Sequence, residues 1–161
     1  MIQRLFAARG WEPNDFQLKT WRAYAKRKSG LLHAPTGTGK TLAVWLGPVV
    51  EALDANEAPD GCRVIWLTPL RALAQDTARS LAEPLRALGS QLEVAVRTGD
   101  TSSYRKAKLR EQLPFALVTT PESLSLMLTY EDSRSKLAQL TCVVIDEWHE
   151  LMGTKRGVQT E

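Results

Sequence analysis

The sequence predicts an α/β fold with a mostly parallel sheet and helices on both of its faces. Short apolar or β-branched runs recur at 30–34, 63–67, 93–97, 115–119 and 141–145, with helical patterns between them at 40–54, 70–87, 102–112 and 122–129. Such alternation is the signature of strands joined by helical crossovers. The run Gly30-Leu31-Leu32-His33 leads into Ala34-Pro35-Thr36-Gly37-Thr38-Gly39-Lys40-Thr41, a glycine-rich loop that opens a helix. The run Leu140-Thr141-Cys142-Val143-Val144-Ile145, typical of a buried parallel strand, ends in the adjacent acids Asp146 and Glu147.

In chain order, Asn14 is placed to cap a helix running to about Lys28, with Gln17 at the capping-box position. Lys26-Arg27-Lys28 falls at the end of that helix, where cations favour the helix dipole. His33, in the first strand, is expected as a packed core histidine. The loop that follows needs glycines at 37 and 39 so that backbone N–H groups can turn inward on a polyphosphate without a Cβ clash. Pro35, Thr36 and Thr38 complete the loop; Lys40 supplies a point charge to the β and γ phosphates, and Thr41 a hydroxyl for Mg²⁺. Ala34 stands where the usual pattern has its first glycine. Pro48 and Pro84 fall late in the next two helices, where each is expected to kink or end its helix by removing a backbone hydrogen bond. The segment 54–62 has turn residues and no apolar period, and reads as a surface loop rather than a domain boundary.

Ligands of open α/β sheets gather at the carboxyl ends of the strands. Asp146, at such an end, can reach a Mg²⁺ held by Thr41, through water, while Glu147 is free to act as general base. Two further strand ends, Leu67-Thr68-Pro69-Leu70 and Thr119-Thr120-Pro121-Glu122, share a design in which threonine caps a helix and proline occupies its first turn. Helix N-termini attract anions, so these two can hold successive phosphates of one nucleic-acid strand; ordinary strand-to-helix caps are the alternative. Arg71 would add a charge, and the Thr98-Gly99-Asp100 turn a close backbone approach. Arg105, Lys106, Lys108 and Arg110 form a basic helical run, either a solvated face or a DNA contact. The tryptophans at 11, 21, 45, 66 and 148 are mostly core by their apolar neighbours, with bordering an adenine as the alternative for Trp11.

At 161 residues the chain is one domain's worth, and 43% hydrophobic residues suffice for a two-layer core. A net charge of +3 and a pI near 9.0 permit nucleic-acid binding without demonstrating it. Cys62 and Cys142 read as packed thiols; their spacing fits no metal site, and a reducing, cytoplasmic setting is expected. No apolar run approaches the ~20 residues of a membrane span. Met1-Ile2-Gln3-Arg4 does not open a signal peptide, so a soluble protein without a membrane partner is expected.

Ala34 to Thr41 together with Asp146-Glu147-Trp148-His149 resembles motifs I and II of superfamily 2 helicases of the DExH type. More narrowly the chain resembles the large helicase-related (Lhr) group, and within it the bacterial ligase-associated DExH-box DNA helicases. The supporting matches are Gly10-Trp11, Phe16-Gln17, Thr68-Pro69-Leu70-Arg71-Ala72-Leu73, Arg97-Thr98-Gly99-Asp100, Thr119-Thr120-Pro121-Glu122-Ser123-Leu124 and Glu150-Leu151-Met152-Gly153. The resemblance implies a RecA-like P-loop NTPase fold, ATP and Mg²⁺ as cofactors, single-stranded DNA or RNA as partner, and DNA ligase or repair proteins as further partners. It makes the strand ends at Thr68 and Thr120 motifs Ia and Ib, which grip single-stranded backbone. It offers Gln17 a hydrogen bond to the base as the alternative to a plain capping box, and gives His149 the coupling of nucleotide site to nucleic-acid site. It also implies that residues 1–161 are part of a first RecA-like domain, truncated before the motif III strand, with a second RecA-like domain and C-terminal regions absent and the isolated piece nearly inactive. The expected function is the motor domain of an ATP-dependent DNA helicase or translocase. An RNA helicase and an ATP-gated binding module with vestigial hydrolysis are the alternatives; a small-molecule P-loop kinase would have no use for two Thr-Pro helix starts.

Overall fold

The computed structural model describes residues 2–7, 9–55 and 61–151. The chain divides into two compact units, Met1–Ala58 with Pro84–Ser90 and Pro59–Glu83 with Gln91–Glu161.

The first unit contains α1 (Ile2–Ala7), α2 (Asp15–Ala25) and α3 (Lys40–Asp54). Asn14 precedes α2 and its N–H donates to Gln17 Oε1 at 2.9 Å, which satisfies a donor that the helix start leaves open. The helix stops at Ala25, short of Lys28, because the chain turns through a left-handed Arg27 at φ 55°. Arg27 then pairs with Glu51 of α3, so this basic cluster has a structural partner. Gly47 lets α3 approach α2 closely: a Cβ there would lie 2.8 Å from the Tyr24 ring. Leu5 and Phe6 of α1 bury against Leu46, with Trp21, Leu42 and Leu88 alongside.

Residues 30–34 do not form a strand. Leu31 is 70% exposed and His33 is exposed, so His33 is not a packed core histidine. A strand is defined by its ladder, and among the described residues none pairs with this run. Pro48 does not end its helix: α3 passes through it to Asp54 with Pro48 buried. Pro84 likewise lies inside the helix Arg71–Ala87 without ending it.

The second unit is built on β1 (Val64–Leu67), β2 (Val94–Arg97), β3 (Ala116–Thr119) and β4 (Cys142–Ile145), in the order β2-β3-β1-β4 with every pairing parallel. The connecting helices are α4 (Arg71–Ala87), α5 (Ser103–Glu111), α6 (Pro121–Leu128) and the short α7 (Ser133–Lys136). The central strands β1 and β3 are buried at every position, which accounts for their continuous rather than alternating apolar pattern. On one face Ile65, Leu67 and Leu117 pack with Cys62 and with Met127 of α6, flanked by Leu109, Leu124 and Leu137. The burial pushes the Cys62 thiol up to about 11. Among the described residues β4 is an edge strand: Val143 and Ile145, in register with Ile65 and Leu67, are 51% and 42% exposed. For the same reason Cys142 is only half-buried, not the packed thiol its apolar neighbours suggested.

The expected loop at 54–62 lies largely outside the described residues. Among the described residues no helix is long and apolar enough to cross a membrane.

Candidate functional site

The glycine loop in the first unit is held by its own short bonds. Gly37 and Gly39 take φ of 78° and 89°, a region that residues with a Cβ enter only at a cost. Thr38 Oγ1 donates to Pro35 O at 2.7 Å and Lys40 Nζ donates to Ala34 O at 2.7 Å, drawing the lysine back across the loop. Gln17 is 2% exposed, and its Nε2 donates to Gly39 O at 3.2 Å while Oε1 holds the Asn14 N–H. Asn14 Nδ2 in turn donates to Thr38 O at 3.4 Å. Gln17 therefore closes a capping box and braces the loop together. α3 starts at Lys40 without a side-chain cap, and its first intrahelical bond is Ala43 N–H to Gly39 O at 3.0 Å. The N–H groups of Lys40, Thr41 and Leu42 are thus left for an anion, and an ammonium stands beside them. This arrangement fits a polyphosphate.

In the second unit Asp146 continues the β4 ladder, its N–H donating to Leu67 O at 2.9 Å. Its carboxylate accepts from Glu147 N–H at 3.0 Å and from Trp66 Nε1 at 3.2 Å. Glu147 is exposed and left-handed, φ 47° and ψ 42°, at the start of a 3₁₀ turn over Trp148–Glu150. A non-glycine residue in that region is uncommon and carries backbone strain. His149 Nε2 lies 3.5 Å from Glu147 Oε2 and 3.6 Å from Glu150 Oε1. Among the described residues no group of three or more His, Cys, Asp or Glu could hold a metal by itself.

The two Thr-Pro strand ends are not equivalent. Thr120 caps α6 by accepting from Ser123 N–H at 3.4 Å, and Pro121 is the first helical residue. α4 begins only at Arg71, so Pro69 precedes the helix and Thr68 does not cap it; the Thr68 N–H instead donates to Thr119 O at 3.0 Å. Thr68 and Thr120 are each 1% exposed, so neither presents its hydroxyl at the surface. Arg71 reaches the Thr98-Gly99-Asp100 turn and pairs with Asp100 at 3.1 Å. The turn is closed by Thr98 N–H to Thr101 Oγ1 at 2.9 Å. Beside it runs a groove of about 440 Å³ lined by Arg71, Gln75, Thr98, Asp100, Ser102 and Arg105.

The basic run of α5 divides in use. Lys106 donates to Gly99 O at 2.8 Å and Arg105 lines the groove. Arg110 stacks over Tyr130 at 4.5 Å and faces Asp132 at 3.7 Å. Of the tryptophans, Trp45 and Trp66 are buried at 0% and 2%, whereas Trp11 and Trp148 are 49% and 43% exposed.

With this geometry in place, the sequence matches the family model of DEAD/DEAH box helicases over residues 14–161. The chain belongs to the DEAD/DEAH box helicase family. Within that family it is similar to the ATP-dependent helicase Lhr-Core of Sulfolobus acidocaldarius, 42% identical over 141 residues, which cover 82% of this chain and 16% of the relative. It is 36% identical over 174 residues to the Lhr helicase/uracil glycosylase of Escherichia coli, covering 94% of this chain and 11% of that protein. The structure of Mycobacterium smegmatis helicase Lhr bound to ssDNA and AMP-PNP superimposes with a TM-score of 0.78 at 35% identity, over 92% of this chain and 20% of that one. The chain is thus a DEAD/DEAH helicase domain of the Lhr family with a RecA-like fold, and it spans less than a fifth of the length of these curated relatives.

Two residues of this helicase domain make contacts that the sequence alone does not reveal. One is Trp66, whose bond to Asp146 bridges 80 positions of sequence. The other is Arg97, 3% exposed, which donates to Ser123 O at 2.8 Å and Oγ at 2.7 Å and so ties the end of β2 to the first turn of α6. A buried arginine at a strand end was the available signal, since such a charge requires acceptors.

Proposed function

We propose that this chain is the ATP-binding and ATP-hydrolysing first motor domain of a DNA helicase or translocase, gripping single-stranded backbone without reading bases. The observation that carries the reading is the braced glycine loop, which bonds the Lys40 ammonium to Ala34 O and opens α3 without a side-chain cap. Pro35 to Thr41 hold the phosphates, with Gln17 bracing the loop through Gly39 and turning its remaining amide proton toward the base. Thr41 and Asp146 hold Mg²⁺, which when bound neutralises phosphate charge. The Glu147 carboxylate takes the proton of the attacking water. His149 links this chemistry to the strand-binding elements. The N–H groups of Leu70 and Glu122, which follow the Thr68-Pro69 and Thr120-Pro121 pairs, hold successive phosphates of the strand together with Arg71 and the Thr98-Gly99 turn.

The exposed edge of β4 supports a further strand, contributed by additional chain, pairing there, with a second RecA-like domain beyond it. Such a domain would supply an arginine finger, worth ~10³-fold or more in rate. The resemblance to ligase-associated helicases makes DNA ligase or repair proteins partners in this reading, and cysteines outside any disulfide fit a cytoplasmic setting.

The test is ATP hydrolysis by the full-length protein with single-stranded DNA or RNA of matched length. Stronger stimulation by DNA is expected. Stronger stimulation by RNA would make it an RNA helicase, and strand binding without single-turnover hydrolysis would make it an ATP-gated binding module.

A further inference from the structure

We propose that Trp66 is a positioning residue for the nucleotide site, fixing the Asp146 carboxylate in the orientation that Mg²⁺ requires. The inference rests on the reading of Asp146 as a metal-site residue. It starts from the sheet register: Trp66 is opposite Val144, and the Asp146 N–H extends the same ladder to Leu67 O. Side chains alternate along a strand, so Trp66, Val144 and Asp146 share one face. Trp66 and Asp146 are a diagonal cross-strand pair, a separation that a long aromatic side chain can span. Nε1 does so, donating to Oδ2 at 3.2 Å.

The other carboxylate oxygen, Oδ1, accepts from Glu147 N–H at 3.0 Å. Asp146 is therefore held at both oxygens, and rotation of its carboxylate would break a bond to a donor. Each oxygen keeps a lone pair for a metal-bound water. Trp66 is 2% exposed, so water does not replace the indole cheaply if the carboxylate turns away. The indole N–H has no acceptor function and one fixed direction, so it can orient the carboxylate without competing for the cation. Phenylalanine would fill much of the same volume and leave Oδ2 free to swing. Trp66 thereby gains a role beyond packing, which its apolar neighbours alone would suggest.

The test uses the full-length protein with AMP-PNP as nucleotide and Mg²⁺ as the titrant. Trp66→Phe is compared with a site-specific benzothiophene analogue of tryptophan, which keeps the bicyclic shape and removes only the N–H. Both should raise the Mg²⁺ concentration for half-maximal AMP-PNP binding by about five-fold or more, the loss expected of a hydrogen bond to a charged group. For the analogue, nucleotide-free binding of single-stranded DNA should stay at the wild-type value. An unchanged or lower Mg²⁺ midpoint with the analogue would overturn the proposal, whatever Trp66→Phe does to folding. Failure of the unmodified protein to bind AMP-PNP at any Mg²⁺ concentration would instead count against the nucleotide site itself.

Discussion

Arg71 lies directly over Gly99: a Cβ at position 99 would fall 2.6 Å from Arg71 Cζ and 2.8 Å from each terminal nitrogen. The absence of a side chain at 99 lets the guanidinium reach Asp100, so the first residue of α4 and the turn after β2 form one charged platform.

This platform predicts two opposite effects. Asp100 and Arg71 are both more than half exposed, so their pairing contributes little stability, and Asp100 competes with any phosphate for the guanidinium. Arg71→Ala should weaken single-strand binding irrespective of base sequence and reduce the salt slope by about one counterion. Asp100→Asn should strengthen binding. Anisotropy titrations across a salt series read both; an Arg71→Ala loss confined to particular base sequences would refute the phosphate role.

Gly39 is constrained twice, by its φ of 89° and by Gln17 Nε2, which would lie 2.7 Å from a Cβ. Gly39→Ala should cost about 1–2 kcal/mol of stability by backbone strain and also lower ATP affinity. Adding Gln17→Ala relieves the contact but not the φ, so urea unfolding of the double variant should recover at most part of the loss. Full recovery would show that the contact alone was responsible.

Lys40 and Glu147 separate binding from chemistry. Lys40→Ala should abolish ATP binding or hydrolysis by removing the phosphate's cation. Glu147→Gln should retain ATP affinity while turnover falls at least ~10²-fold. Equal loss of binding and turnover in the second variant would make Glu147 a metal ligand.

The buried Cys62 thiol sets a pH dependence. Its value rises from 9.0 to about 11 because burial disfavours the thiolate. A raised folded value means stability that is fully present below 9.0 and lost as pH climbs toward about 11. Denaturation midpoints of wild type should therefore fall over that window more steeply than those of Cys62→Ala. At neutral pH the thiol should resist thiol reagents until the protein unfolds.

The exposed edge at Val143 and Ile145 predicts that residues 1–161 alone aggregate. Val143→Lys should raise the solubility of this piece. In a longer protein carrying the proposed additional strand, the same change should destabilise. A well-folded 161-residue monomer with DNA-stimulated ATPase equal to that of a two-domain protein would contradict the proposed extension.

By itself the sequence determined what depends on neighbours in the chain. The loop at 34–41, the start of α3 and the Thr120-Pro121 cap of α6 were legible because glycine conformation, helix capping and proline geometry act within a few residues. The parallel sheet followed from apolar runs alternating with helical patterns, whereas the strand order β2-β3-β1-β4 did not. The tertiary structure alone decided whether each run acquired a partner. Residues 30–34 are as apolar as several true strands, yet a ladder needs a second backbone and none of the described residues supplies it. Thr68-Pro69 and Thr120-Pro121 read alike, but the path of each strand end placed only the second pair in its helix. The contacts of Arg71 with Gly99 and of Trp66 with Asp146 join segments that only sheet register brings together, and register is a property of paired strands that no local window contains.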